Sequence, residues 1–236
     1  MGGGGFLSRH DNVYAFIPNL IGYARIICTM RAYMVAFKSP DLMVVLYFAS
    51  FVCDELDGRF ARMLNQTSTF GAVLDMVTDR VATTGLLVLL CMIHPEHFGI
   101  FLTLIVIDIT SHWFHMYSSL VEKKATHKDV GVEKNWLLRH YYGSRIFMGW
   151  CCVSAEVCYL AVYLFHWEKY RRWAMLGLPA LQGVLLYPPY STSQGVPLVV
   201  AVIALTLPGT IMKQVLNLLQ LRSACNTLVD HDLKRP

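Results

Sequence analysis

Charged residues are scarce in this sequence of 236 amino acids. Asp, Glu, Lys and Arg make up 15% of it, whereas hydrophobic residues make up 55%, and the mean hydropathy is +0.44. A soluble domain usually contains about 25% charged residues. A chain of this length cannot hide so many apolar side chains in a soluble core, because much of the surface of a small domain must face water. We therefore predict a polytopic membrane protein.

The sequence also lacks the marks of several other classes. Its seven cysteines form no Cys-x-x-Cys pair and no Cys/His zinc spacing, so we expect free thiols that pack as small hydrophobic groups. The net charge of +4 is too dilute for a nucleic-acid interface, which needs a clustered basic face. The motifs GxxxxGK[ST], GxSxG and HExxH are absent, which argues against a P-loop NTPase, a serine hydrolase and a zinc protease.

Six apolar stretches have the length of about 20 residues that a membrane-spanning helix needs. Polar or proline-containing segments separate them, so the pattern predicts an all-α protein with six transmembrane helices. The apolar run 173–187 is shorter and contains Pro179, which favours an interfacial or re-entrant segment. The six stretches are residues 17–37, 41–62, 70–93, 98–120, 142–166 and 196–221.

Positive charge predicts the orientation of these helices, because Lys and Arg collect in cytoplasmic loops. With six spans, both termini lie on the same side as the second and fourth loops, so we predict cytoplasmic termini. Residues 1–11 show no signal-peptide pattern and are expected to form a disordered tail; 12–225 form the membrane domain, and 226–236 form a cytoplasmic C-terminal tail. Eleven basic residues lie on the side of the termini (Arg9, Arg59, Arg62, Lys123, Lys124, Lys128, Lys134, Arg139, Arg222, Lys234 and Arg235) and four on the other (Lys38, Lys169, Arg171 and Arg172).

Four aspartates lie where the second and third predicted spans meet. Asp54 and Asp57 are three residues apart and Asp75 and Asp79 are four apart, so each pair lies on one face of its helix. Charged residues within spans are costly and mark functional sites. Four carboxylates this close must be protonated or joined by a cationic group. Oxygen ligands suit Mg²⁺ or Mn²⁺, and enough oxygens are present for two ions that share bridging carboxylates.

Small residues accompany the aspartates. Gly58, Ala61 and Gly71 leave room for a ligand or another backbone to approach, and Arg62 can present a forked donor to a diphosphate. Together these residues read Asp-x2-Asp-Gly-x2-Ala-Arg-x8-Gly-x3-Asp-x3-Asp. This pattern resembles the motif of the CDP-alcohol phosphotransferase family. The resemblance implies six transmembrane helices around a cytoplasm-facing polar cavity, a homodimer, and transfer of a substituted phosphoryl group from a CDP-linked donor to an alcohol, with release of CMP.

The resemblance also implies a role for each acidic residue. Asp54, Asp57 and Asp75 would bind one Mg²⁺ or Mn²⁺ ion, and Asp54, Asp75 and Asp79 would bind a second. Asp79 would in addition be the general base that takes the proton of the alcohol.

Other positions of the motif would contact the donor. Residues Gly58, Ala61, Arg62 and Ser68 would lie against the CDP moiety of the lipid. The first span contributes Pro18 and Asn19, which together with Arg25 resemble the family's first-helix element beside the nucleotide.

Further runs of sequence resemble the phosphatidylinositol synthase branch of the family. They imply CDP-diacylglycerol as donor and myo-inositol as acceptor, and a lipid synthase with a cytoplasmic site fits the endoplasmic reticulum. The runs are PNLIGYAR (18–25), LNQ (64–66), FGAVLDMVTDR (70–80), SHWFHMYSS (111–119) and RHYYGSR (139–145).

The residues themselves support inositol less directly. Asp108, His112 and His115 are spaced as i, i+4 and i+7, so they form one polar stripe that can either hydrogen-bond a polyol or form a polar seam between helices. Arg145, near the start of the fifth span, is a further candidate for this pocket.

Two alternatives stay open at this point. The acceptor can be another alcohol, such as glycerol 3-phosphate or serine. A different class, a membrane cation transporter, would use the four aspartates as an ion path, but transporters often show paired halves with broken helices, and the sequence has no such repeat.

Overall fold

We describe residues 12–125, 135–173, 175–176 and 195–234 of a computed structural model of the chain. The predicted tail at 1–11 and most of the predicted interfacial segment 173–187 lie outside these residues. The described part forms eight α-helices, two 3₁₀ turns (Val13–Ala15 and Pro95–His97) and two short strands, β1 (Met175–Leu176) and β2 (Val196–Pro197), which pair antiparallel. The helices are α1 (Ile17–Val35), α2 (Pro40–Met63), α3 (Thr69–Ile93), α4 (Phe98–Ala125), α5 (Trp136–Gly143), α6 (Arg145–Phe165), α7 (Glu168–Arg171) and α8 (Leu198–Leu233).

Several helices begin at residues suited to that position. Proline lies in the first turn of α1 and of α2, where its missing N–H would have no partner in any case. The Asn135 side chain accepts hydrogen bonds from the first amides of α5, and the Ser144 side chain accepts one from the Phe147 amide of α6. These caps satisfy amides that a helix leaves unpaired at its start.

The chain divides into two units, residues 1–86 and 87–236. In the first unit α1 packs on α2. The hydroxyls of Thr29 and Ser50 lie 2.8 Å apart between these helices. Apart from the adjacent Pro18 and Asn19, the buried positions of α1 are three or four residues apart and therefore define one face of the helix; they are Pro18, Asn19, Gly22, Arg25, Thr29 and Ala32.

In the second unit α4 and α6 both pack on α8. Lys213 of α8 is buried and donates to the Tyr141 hydroxyl at 3.2 Å. Burial raises the pKa of Tyr141 above its ordinary value, so the phenol stays neutral and the contact is a hydrogen bond rather than an ion pair. One apolar cluster of this unit consists of Leu138, Tyr141, Cys151 and Leu216.

Four helical segments are long and apolar enough to cross a membrane: Thr69–Ile93, Pro95–Glu122, Arg145–Phe165 and Leu198–Leu233. The chain is thus an integral membrane protein. The first two predicted spans, 17–37 and 41–62, are also helical, as α1 and α2, but their charged residues make them less apolar than these four. Six spans therefore stay a prediction.

The last helix is longer than predicted. With 36 residues, α8 measures about 54 Å, whereas the hydrocarbon core of a bilayer is about 30 Å thick. It continues past residue 221, where we predicted the end of the last span, and past residue 225, where we placed the end of the membrane domain.

Candidate active site

The predicted acidic residues come together in the first unit. Asp54 and Asp57 project from the end of α2, and Asp75 and Asp79 from the first half of α3. One carboxylate oxygen from each of Asp54, Asp57 and Asp75 lies within 4.8 Å of the others. The turn between the helices contains Asn65 with φ of 55°, a left-handed conformation that Asn tolerates better than most residues.

Arg25 of α1 lies among these carboxylates and bonds to all four. Its Nη1 lies 3.0 Å from Asp57 Oδ2 and 2.8 Å from Asp75 Oδ1. Its Nη2 lies 2.5 Å from Asp54 Oδ1 and 2.6 Å from Asp79 Oδ1. We predicted this arginine beside the nucleotide, which stays a prediction; the structure places its guanidinium among the four aspartates. Arg25 is the cationic group that joins the aspartates.

The cluster is buried at one end and open at the other. The side chain of Asp57 is 10% exposed, whereas those of Asp79 and Asp75 are 36% and 49% exposed. A substrate can therefore reach the α3 aspartates from solvent. Asp79 Oδ2 lies 3.8 Å from Arg80 Nη2, too far for a hydrogen bond.

The residues present fit a divalent cation. The convergent ligands are carboxylate oxygens, which hard cations such as Mg²⁺ and Mn²⁺ prefer. Several oxygens already lie within 4.8 Å of one another, and a positively charged guanidinium lies between them. The site is thus organised around positive charge, and these aspartates can hold a metal ion.

A cavity of about 170 Å³ adjoins the acidic cluster, several times the ~30 Å³ that one water molecule occupies in the liquid. Asp57 and Asp75 form part of its wall. Four of the five predicted CDP contacts also line it, namely Asn19, Gly58, Ala61 and Ser68. The fifth, Arg62, does not line it, but Nη1 of Arg62 lies 3.5 Å from where a Cβ on Gly58 would be.

Gln66 is a cavity residue to which the sequence analysis gave no role. Its side chain is buried, and its Oε1 accepts a hydrogen bond from the Ile17 amide at 3.0 Å. Gln66 thereby satisfies one of the free amides at the start of α1 and fixes that helix end beside the cavity. In the sequence, Gln66 belongs to the run LNQ (64–66) just after α2, one of the runs that resemble the phosphatidylinositol synthase branch.

We expect Gly71→Ala to impair donor binding. A Cβ at position 71 would lie 2.8 Å from Asn19 Oδ1 and 3.0 Å from Ser68 Oγ, so both cavity residues would have to move. We expect this movement of Asn19 and Ser68 to lower kcat/KM by about tenfold. Most of that loss should be a higher KM for the CDP-linked donor. Steady-state kinetics with varied donor concentration measure it.

The control for this variant is Gly99→Ala on α4, where an added Cβ meets no atom within 4 Å. Alanine favours a helix over glycine by about 1 kcal/mol, so lost helix stability cannot explain a defect in either variant. A Gly71→Ala enzyme with the wild-type KM would show that the space left by Gly71 beside Asn19 does not shape the donor site.

The residues predicted for the acceptor pocket lie in the second unit. Asp108 is buried, and His112 Nδ1 lies 3.7 Å from its Oδ1 and 2.8 Å from its backbone oxygen. His115 stacks on the ring of Tyr142 with centroids 5.7 Å apart. Arg145 is exposed at the start of α6. Asp108 and His112 thus form a polar pair on one face of α4, as their spacing predicts.

Comparison with known proteins decides the family. Residues 15–220 match the family model described as CDP-alcohol phosphatidyltransferase. The chain belongs to this family. The match covers every candidate site residue, and membership in a family of transferases argues against the cation-transporter alternative.

Individual family members resemble the chain over nearly its whole length. CDP-diacylglycerol--inositol 3-phosphatidyltransferase 1 of Arabidopsis thaliana is 43% identical over 224 residues, covering 95% of this chain and 93% of that protein. The CDP-diacylglycerol--inositol 3-phosphatidyltransferase of Schizosaccharomyces pombe is 37% identical, covering 96% and 94%. That of Saccharomyces cerevisiae is 34% identical, covering 95% and 90%. No solved structure matches the chain.

Proposed function

We propose that this CDP-alcohol phosphatidyltransferase makes phosphatidylinositol, by transferring the phosphatidyl group of CDP-diacylglycerol to myo-inositol and releasing CMP. The observation that carries the proposal is the four-aspartate cluster beside a cavity, in a chain 34–43% identical over nearly its whole length to inositol 3-phosphatidyltransferases.

The aspartates are the proposed metal ligands. Asp54, Asp57 and Asp75 would hold one ion and Asp54, Asp75 and Asp79 a second. When bound, Mg²⁺ or Mn²⁺ ions neutralise the diphosphate of the donor and stabilise the charge that develops on the CMP leaving group.

The chain's own residues bind the donor and move the proton. Asn19, Gly58, Ala61 and Ser68 line the cavity that we propose for the CDP moiety, and Arg62 beside Gly58 would contact its phosphates. Asp79 would accept the proton of the inositol hydroxyl on Oδ2. The hydroxyl oxygen then attacks phosphorus, and the bond from phosphorus to the CMP oxygen breaks.

For the acceptor we propose a pocket that contains Asp108, His112, His115 and Arg145. Their carboxylate, imidazole and guanidinium groups supply both donors and acceptors for the hydroxyls of a polyol. The buried Asp108, with the half-buried His112 beside it, supports this proposal, because buried polar groups within a membrane helix are costly and usually functional.

We further propose six membrane spans, with α1 and α2 as the first two. Their outer faces support this, because Ile27 and Met34 of α1 are each 69% exposed and Val45 and Phe48 of α2 are each 62% exposed, an apolar surface typical of contact with lipid. The charge imbalance supports cytoplasmic termini and a cytoplasmic active site. We also propose that the membrane domain consists of residues 12–225, that the protein forms a homodimer, and that it lies in the membrane of the endoplasmic reticulum.

An acceptor assay tests the proposed function. We expect purified protein with CDP-diacylglycerol and Mg²⁺ to form a lipid product and release CMP with myo-inositol, and to release little CMP with serine or glycerol 3-phosphate. The physical reason is that glycerol 3-phosphate would bring a negatively charged phosphate into a pocket that contains the Asp108 carboxylate. Inositol is uncharged and needs only hydrogen-bonding groups. Lipid product analysis and CMP release measure the result. Faster turnover with serine or glycerol 3-phosphate would overturn inositol as the acceptor.

A further inference from the structure

Arg25 holds the acidic cluster together through both ends of its guanidinium group. Nη1 bonds to Asp57 and Asp75, and Nη2 bonds to Asp54 and Asp79, with all four distances between 2.5 and 3.0 Å. The Arg25 side chain is only 4% exposed. Because a guanidinium does not lose its proton in proteins, a permanent positive charge lies between the four carboxylates.

We propose that Arg25 is an internal counter-ion of the four carboxylates: it competes with divalent ions for them and leaves them when the ions bind. The proposal rests on the metal site of the proposed function. A guanidinium bonded to all four residues and a metal ion bound by the same residues would place two cations in one small space, where they repel each other strongly.

The third nitrogen of the Arg25 guanidinium, Nε, supports the proposal that the group can leave the carboxylates. Among the described residues, Arg25 Nε is a buried donor without a hydrogen-bond partner, although most buried polar groups have one. The four carboxylates therefore supply the contacts that hold the group in place. When the carboxylates bind an ion instead, no hydrogen bond from Nε to a described residue keeps the guanidinium at this place.

The same arrangement limits the repulsion among the four aspartates. Four carboxylates within hydrogen-bond reach of one group would repel one another if nothing joined them. Arg25 reduces that repulsion, but as a competing cation it also lowers the affinity of the site for the first ion.

Manganese binding to the protein without any lipid donor tests the proposal. Electron paramagnetic resonance measures free Mn²⁺ during titration of wild type and of Arg25→Gln, which removes the charge and keeps a polar side chain. We expect Arg25→Gln to bind Mn²⁺ at least about tenfold more tightly, because a cation no longer competes. The control is Arg31→Gln, the same change of charge at an exposed position of α1, for which we expect a change of about twofold or less, because position 31 lies six residues, or about 9 Å, further along the helix and the interaction between charges weakens with distance.

Thermal unfolding gives a second measurement. In chelator, Arg25→Gln should melt at a lower temperature than wild type, and Mn²⁺ should raise its Tm by more than it raises that of wild type. If Arg25→Gln cannot be purified, Arg25→Lys decides, since it keeps one charge but lacks the planar fork; we expect its Mn²⁺ affinity to exceed that of wild type.

A variant at position 25 that binds Mn²⁺ no more tightly than wild type would overturn the proposal. If wild type and the variants bind no Mn²⁺ at all, both the metal site and this proposal fail. If Mn²⁺ binds with the expected order of affinities and the wild-type enzyme makes no phosphatidylinositol, the proposed function fails alone.

Discussion

Removing divalent ions is expected to abolish phosphatidyl transfer, with a loss of at least about a thousandfold. The reason is the charge balance of the site. Arg25 and Arg80 lie within 4.0 Å of the aspartates, and even together they offset only half of four carboxylate charges. The diphosphate of the donor would add further negative charge beside Asp57 and Asp75, which line the cavity. Without metal ions the donor is therefore repelled from the place where it must react.

The measurement is CMP release from CDP-diacylglycerol and inositol in excess chelator, followed by addition of Mg²⁺ or Mn²⁺ above the chelator concentration. Added metal should restore activity, which shows that the chelator did not denature the enzyme. The control is chelator already saturated with Mg²⁺, which should have no effect. Activity that persists in excess free chelator would exclude the proposed two-ion site.

The acidic pairs could be predicted because they depend on helix periodicity alone. Asp54 and Asp57 share one face of α2, and Asp75 and Asp79 share one face of α3, as a repeat of 3.6 residues requires. The turn between the two helices is short, so the pairs had to lie near each other. The positions of α1 and α2 could also be predicted, because each coincides with an apolar stretch of about 20 residues that begins next to a proline.

The partners of Arg25 could not be predicted from the sequence. They lie 29–54 residues away, on two other helices, and periodicity within one helix does not tell which face of it meets another. Gln66 was missed for a related reason, because its hydrogen bond joins the end of α2 to the start of α1. The six spans predicted from the apolar stretches also stay a prediction, because four helical segments of the described residues are long and apolar enough to cross a membrane, and the charged residues of the site make α1 and α2 less apolar.

The substitution Asp79→Asn is expected to lower kcat by about 100-fold or more, the loss usual for a general base. Asparagine has the size of aspartate but lacks its charge and its basicity. Asp79 can serve as the base because its side chain is 36% exposed and its Oδ2 makes no hydrogen bond to Arg80. Binding of CDP-diacylglycerol should weaken less, because Asp54, Asp57 and Asp75 can still hold one ion at the diphosphate. Steady-state kinetics with inositol and a donor-binding titration separate the two effects.

A comparison with Asp57→Asn distinguishes the base from a metal ligand. Asp57 is the most buried of the four carboxylates and lines the cavity, so its loss should weaken donor binding and turnover together. The control Asp232→Asn removes a carboxylate that is 73% exposed near the end of α8 and should leave both unchanged. If Asp79→Asn turned over inositol at nearly the wild-type rate, the proton would have to leave through water or another group. If it instead lost donor binding as severely as Asp57→Asn, its role as a metal ligand would account for the loss, and the variant would give no support to Asp79 as the base.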